Sequence, residues 1–128
     1  MKIYSWNVNS LRSCENNFLE FLNNYSPDIV GIQELRAHPD QLSFFLKFVD
    51  GYKVLFNDSG RPGYAGTALY YKDTLDVKEI TKDLNNDILN TEGRAIKIVI
   101  DDITILQFEI FYIFYIKFIL MYYYFLAF

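Results

Sequence analysis

"PDIVGIQELR", residues 27–36, decides how this 128-residue chain is read. Ile29, Val30 and Ile32 make a short apolar run between Pro27 and the polar pair Gln33 and Glu34. That is the pattern of a strand buried on both faces. Such a strand belongs inside a layered domain, because each face must be covered by another element. The unusual feature is a carboxylate where the strand surfaces. At an arbitrary strand end Glu34 would simply be the first solvated residue of a loop, since charged side chains are mostly exposed. Whether it is more depends on what the rest of the chain sets beside it.

Upstream, residues 2–6 are rich in β-formers and read as a first strand. Asn7-Val8-Asn9-Ser10 is turn-like, with Ser10 placed to cap a helix. Leu11, Phe18, Leu19, Phe21 and Leu22 then form an apolar stripe at helical spacing, which ends in residues 23–27. Downstream, Pro39 suits the first turn of a short helix carrying Leu42, Phe45, Leu46 and Val49 on one side. Strands follow over 51–56, 66–72 and 77–81, with a loop at 57–63. Residues 94–100 turn at Asp101-Asp102 and return through 103–107 as a hairpin. Helices early and strands late predict an α/β or α+β domain with a mixed sheet.

The length allows one small domain. Net charge is −4 and the pI is about 4.9, so no global basic field announces a nucleic-acid partner. A divalent-cation site must itself be locally acidic, however, and the bound cation then restores positive charge. Cys14 is the only cysteine, which excludes an intrachain disulfide and points to a reducing compartment, the cytoplasm. The N-terminus is polar by residue 5 and shows no secretory h-region. Gly-rich phosphate loops, CxxC pairs and HExxH are absent, so the common nucleotide and zinc chemistries are excluded and no small-molecule cofactor is expected.

Four polar clusters stand where strands meet loops: Trp6-Asn7-Val8-Asn9, Gln33-Glu34, Gly63-Tyr64-Ala65-Gly66 and Glu92-Gly93-Arg94. Each alone has a plain structural account. The asparagines shape a turn, the glycines supply positive φ, and Arg94 pairs with Glu92 or Asp101. In order, the strings KIYSWNVNSLRS, PDIVGIQELR, GYAGTALYYK and EGRAI resemble the N-terminal half of the exodeoxyribonuclease III family. These are the bacterial-type AP endonucleases of the endonuclease/exonuclease/phosphatase superfamily, and the resemblance covers residues 1–107.

The resemblance implies part of a four-layered α/β sandwich, with two mixed sheets face to face and helices outside. It implies Mg²⁺- or Mn²⁺-dependent hydrolysis of phosphodiesters in double-stranded DNA at abasic sites, with 3′→5′ exonuclease activity. Glu34 is then a direct metal ligand, and Asn7, which shares the metal site, lies beside the ion and helps orient the attacking water or its acidic partner. Asn9 falls near a second-metal position. Tyr64 and Gly66 approach the DNA backbone, and Arg94 positions phosphates. The residue types suit the chemistry on their own terms, because a hard cation with oxygen ligands polarises a phosphoryl oxygen.

Two departures carry weight. Arg36 stands where the family usually has lysine, keeping the charge but not the geometry. From Phe108 the text becomes FEIFYIFYIKFILMYYYFLAF, with no turn residue, in place of the segment that carries the family's catalytic tyrosine. The Asp-x-Asn and terminal Asp-His motifs are missing, and His38 sits in a helix-leading loop. The chain is therefore expected to divide into a family half-domain, 1–107, and a tail, 108–128, and to be inactive alone. The tail reads as a shifted reading frame, since A/T-rich codons encode Phe, Tyr, Ile, Leu, Lys and Met. The competing readings are a native strand pair and a membrane span, the latter interrupted by Lys117 and crowded with aromatics. The membrane reading would make the protein a non-catalytic membrane-attached or interaction protein.

Overall fold

The computed structural model describes residues 1–109. Along the chain run β1 (Ile3–Asn7), α1 (Glu15–Tyr25), β2 (Ile29–Gln33), a 3₁₀ turn (Pro39–Gln41), α2 (Phe44–Lys47), β3 (Tyr52–Asn57) and β4 (Thr67–Lys72). They are followed by β5 (Val77–Thr81), α3 (Asp87–Thr91), β6 (Ala95–Ile100) and β7 (Ile103–Phe108). The first four strands make one sheet in the order β1-β2-β4-β3, and the last three make another in the order β5-β6-β7.

PDIVGIQELR supplies one of the two interior strands of the first sheet, and its alternation assigns the layers. Ile29 faces the second sheet, where it joins Leu69, Ile96, Ile98 and Ile100. Val30 and Ile32 face the other way, onto Leu11, Phe18, Leu22, Leu46 and Tyr70. Full burial of each such side chain contributes about 1.5–3 kcal/mol. Gly31 has no side chain because Gln107 of the second sheet fills its place; a Cβ there would lie 2.9 Å from the Gln107 amide carbon. The result is a helix layer, a mixed sheet and an antiparallel sheet, stacked in that order, as the α/β sandwich requires.

At 11 residues α1 is too short to be stable in isolation, so its packing decides it. Phe18 and Leu22, one turn apart, are its buried pair. Phe18 meets Tyr70 with ring centroids 4.8 Å apart. The helix ends at Ser26, whose left-handed backbone sends its N–H to the Leu22 carbonyl. Because α1 crosses over, β1 and β2 pair in parallel, with Asn7 opposite Gln33.

That parallel pairing brings the carboxyl ends of β1 and β2 together. β4 runs antiparallel to β2, so its first residue, Thr67, lies at the same end, opposite Asn57 of β3. The second sheet is fastened there by two buried bonds. The Asn57 amide donates to the Ala95 carbonyl at 2.9 Å, and the Thr67 hydroxyl donates to the Gly93 carbonyl at 2.9 Å. All four polar clusters thus gather at one end of the stacked sheets.

Several local expectations need correction. Ser10 does not cap α1: its φ is 93° and the helix starts later, with Cys14 in the cap position. The helix expected after Pro39 is broken in two. His38 and Gln41 cap the 3₁₀ turn reciprocally, and the Ser43 hydroxyl accepts the Leu46 N–H to start α2. The single apolar side therefore never forms. Leu42 and Leu46 are buried, whereas Phe45 is 66% exposed beside Phe44 and Phe48. α3, unforeseen, is capped by Asn86, whose side-chain oxygen accepts the Leu89 N–H. β7 extends to Phe108 rather than stopping at 107. The frame-shift, strand-pair and membrane readings of the tail, 108–128, fall on residues of which only Phe108 and Glu109 are described. Among those described, no helix is long and apolar enough to cross a membrane.

Candidate active site

Glu34 is the first residue beyond β2, and its backbone leaves the strand abruptly, with φ of 54°. An L residue adopts that left-handed geometry only when its surroundings impose it. Here they do. Ser10 donates its N–H to the Glu34 carbonyl at 2.9 Å, and the flanking Leu35 and Arg36 donate theirs to the carbonyls of Gly66 and Ala65, each at 2.8 Å. Asn9, Arg36 and Ala65 also have φ near 50°, so three neighbouring loops share the strain.

The Glu34 carboxylate is gripped on both oxygens. The Asn7 amide donates to Oε1 at 2.9 Å, and Arg36 Nη2 lies 2.6 Å from Oε2. Asn7 turns its own oxygen to the Asn9 N–H, at 3.1 Å. The structure therefore brings Asn7, Asn9 and Glu34 together, with Asn7 orienting the carboxylate through its amide nitrogen. The donor set consists of hard oxygens. Among the described residues no group of three or more His, Cys, Asp or Glu could enclose an ion. A single carboxylate fits a magnesium-type ion, which is usually held by one or two carboxylates plus substrate phosphates and water; the Asn7 oxygen is taken by the Asn9 N–H.

Beside this carboxylate lies a second unit built on Arg94. Its side chain, only 5% exposed, contacts Glu92 Oε2 at 2.8 Å and Glu109 Oε1 at 3.2 Å. It also donates to the Tyr64 hydroxyl at 2.9 Å. The Arg61 and Arg94 guanidiniums lie 5.2 and 5.5 Å from the Tyr64 ring centre, within cation–π range. Tyr64 and Arg94 thus form one arm. Gly66 does not join them. It is buried with φ of 93°, and a Cβ there would meet the Asn57 carbonyl and Leu35 at 3.3 Å. The space left by its missing side chain is lined by the Asn57 carbonyl and Leu35.

Glu109 is the residue that reading the sequence missed. Its Oε2 accepts the Glu34 N–H at 3.2 Å, and its own N–H donates to the Arg94 carbonyl at 2.8 Å. Burial pushes its carboxyl up from the ordinary range, opposed by the Glu34 N–H and by Arg94. The signal was available. In a hairpin that pairs Ala95 with Phe108, the next pair outward is Arg94 with Glu109. Assigning everything from Phe108 to the tail concealed it.

Residues 4–109 match the Endonuclease/Exonuclease/phosphatase family. The chain belongs to that family. It is 32% identical over 94 residues to the DNA-(apurinic or apyrimidinic site) endonuclease 2 of Xenopus laevis, covering 73% of this chain and 18% of the relative. It is 28% identical over 108 residues to the exodeoxyribonuclease of Bacillus subtilis, covering 83% of this chain and 41% of the relative. Among solved structures, an AP endonuclease from Archaeoglobus fulgidus superposes with a TM-score of 0.67 at 26% identity, over 83% of this chain and 39% of that one. The chain therefore spans at most about two-fifths of these relatives. As a member of the family it carries the sandwich fold, and the strained Glu34 stands at the sheet end where its four motifs converge.

Proposed function

We propose that this chain carries the cation-binding side of a nuclease of the exodeoxyribonuclease III type, acting on double-stranded DNA at abasic sites and on 3′ ends. The observation that carries the reading is the Glu34 carboxylate, held in a left-handed turn at the sheet end and aimed by Asn7. Glu34, with Asn9 in the adjoining loop tied to Asn7 by its backbone N–H, would hold Mg²⁺ or Mn²⁺. When bound, the ion polarises the phosphoryl oxygen and stabilises the leaving oxyanion. Asn7 keeps the carboxylate oriented. Arg36 neutralises it, and because the Arg36 side chain is 41% exposed it can yield that oxygen to a competing cation. In the Tyr64–Arg94 arm the buried Arg94 guanidinium holds the Tyr64 hydroxyl, which would meet a phosphate, a contact that positions a duplex without reading its sequence.

No described residue is placed as the general acid or base that the relatives' larger domains have room for. His38, the single histidine, caps the 3₁₀ turn through its Nδ1.

The test is fluorescence anisotropy with a labelled duplex containing one abasic site, with Mn²⁺ and with chelator. The reading predicts metal-dependent binding that Glu34→Ala removes and Arg94→Ala weakens. Binding that is equal with and without metal, and unchanged in Glu34→Ala, would overturn it.

A further inference from the structure

We propose that Glu109 is a positioning residue that sets the angle of Glu34 and couples it to the Tyr64–Arg94 arm; the functional half of this inference rests on the reading of Glu34 as the cation-binding carboxylate. Glu34 has left the sheet ladder, so its N–H needs an acceptor elsewhere, and a buried donor without one is costly. Glu109 Oε2 is that acceptor, at 3.2 Å. On the other side of the same peptide segment, the Glu34 carbonyl receives the Ser10 N–H. The strained residue is therefore gripped from two directions, by the loop after β1 and by the end of β7.

The second oxygen of Glu109 meets Arg94 Nη1 at 3.2 Å, and its backbone N–H meets the Arg94 carbonyl. Its side chain is 9% exposed, so these are sheltered, charge-assisted contacts and not a mobile surface pair. One carboxylate thereby links the Glu34 backbone to the guanidinium that holds Tyr64. A movement of Tyr64 on meeting a phosphate would be passed through Arg94 and Glu109 to the peptide that carries Glu34. Hairpin register places Glu109 opposite Arg94, directly after the last residue of β7.

The test uses the full 128-residue chain, ¹⁵N-labelled, and reads amide hydrogen exchange. Glu109→Ala removes both contacts, whereas Glu109→Gln keeps an acceptor for the Glu34 N–H and loses the charge facing Arg94. In Glu109→Ala the Glu34 amide should exchange at least about tenfold faster, with the Val30 and Ile98 amides inside the two sheets unchanged. In Glu109→Gln its protection should stay within about threefold of wild type. A Glu34 amide that exchanges at the wild-type rate in Glu109→Ala would overturn the proposal. So would lost protection in Glu109→Gln with the sheet amides intact, an outcome that decides the matter even if the alanine variant fails to fold. Mn²⁺ titration followed by electron paramagnetic resonance separates the two claims. Weaker binding in Glu109→Ala, largely restored in Glu109→Gln, supports the coupling. No Mn²⁺ binding by the wild-type chain overturns the cation reading of Glu34, while the exchange rates still decide the positioning.

Discussion

Gly93→Ala tests the joint between the two sheets beneath the site. Gly93 has φ of 65°, and an added Cβ would lie 2.3 Å from the Asn57 carbonyl oxygen and 2.7 Å from the Asp58 carbonyl carbon and oxygen. These are backbone atoms that cannot rotate away, so β3 and β6 would have to separate at their ends. That separation strains the Thr67–Gly93 and Asn57–Ala95 bonds that fasten the sheets. Gly51 is the control: its φ is 76° and nothing lies within 4 Å of its missing Cβ. Left-handed strain costs an alanine about 1–2 kcal/mol at either position. Crowding at Gly93 adds about 1–3 kcal/mol, for a total of roughly 2–5 kcal/mol. In a domain of this size each kcal/mol lowers Tm by about 4–8 °C. Thermal unfolding followed by circular dichroism should therefore show a moderate fall for Gly51→Ala. Gly93→Ala should fall further, by roughly another 1–3 kcal/mol, or not fold. Equal shifts for the two variants would refute the claim that close approach, and not φ alone, demands glycine at 93.

Other outcomes follow from single contacts. Tyr70→Phe deletes the buried bond from the Tyr70 hydroxyl to the Leu46 carbonyl and should cost about 1 kcal/mol in urea unfolding, with an unchanged m-value. The Lys2 backbone N–H, with help from Lys72, holds the Asp28 carboxyl below its ordinary range. A depressed carboxyl stabilises the fold above its unfolded pKa, and that stability is lost as pH falls through the lower folded value. The Tm advantage of wild type over Asp28→Asn should accordingly be full at neutral pH and shrink below about pH 4. Burial pushes the Cys14 thiol up, so alkylation by iodoacetamide at neutral pH should be slower than that of free cysteine, and faster labelling would contradict the structure.

The strand in PDIVGIQELR was legible because an apolar run bounded by proline and polar residues has few other uses. The hairpin about Asp101-Asp102 was legible through alternation. The segment after Pro39 was misleading for a physical reason. Its aromatic residues imitate an amphipathic helix, but side-chain caps at His38 and Ser43 cut it into two short turns. α3 gave no apolar stripe to read, since it is a single turn with Ile88 69% exposed.

At the site, the meeting of Asn7 with Glu34 followed from ordered motifs at strand ends. The grip of Arg36 on Glu34 and the choice of the Asn7 nitrogen depend on rotamers, which no spacing reveals. That the missing side chain of Gly66 makes room for Leu35 and Asn57 depends on tertiary packing, which the sequence does not display. Glu109 was hidden by the abrupt change of composition at Phe108, not by any weakness in the hairpin's register.

The central claim is that the Glu34 carboxylate is the cation site. The direct measurement is Mn²⁺ titration of the ¹⁵N-labelled chain, read as paramagnetic loss of individual amide signals. The account predicts that Asn7, Val8, Glu34 and Leu35 broaden first, and that Glu34→Ala abolishes this selectivity while leaving the remaining spectrum in place. First broadening around the acidic segment of Asp83 and Asp87, or an unchanged pattern in Glu34→Ala, would contradict it.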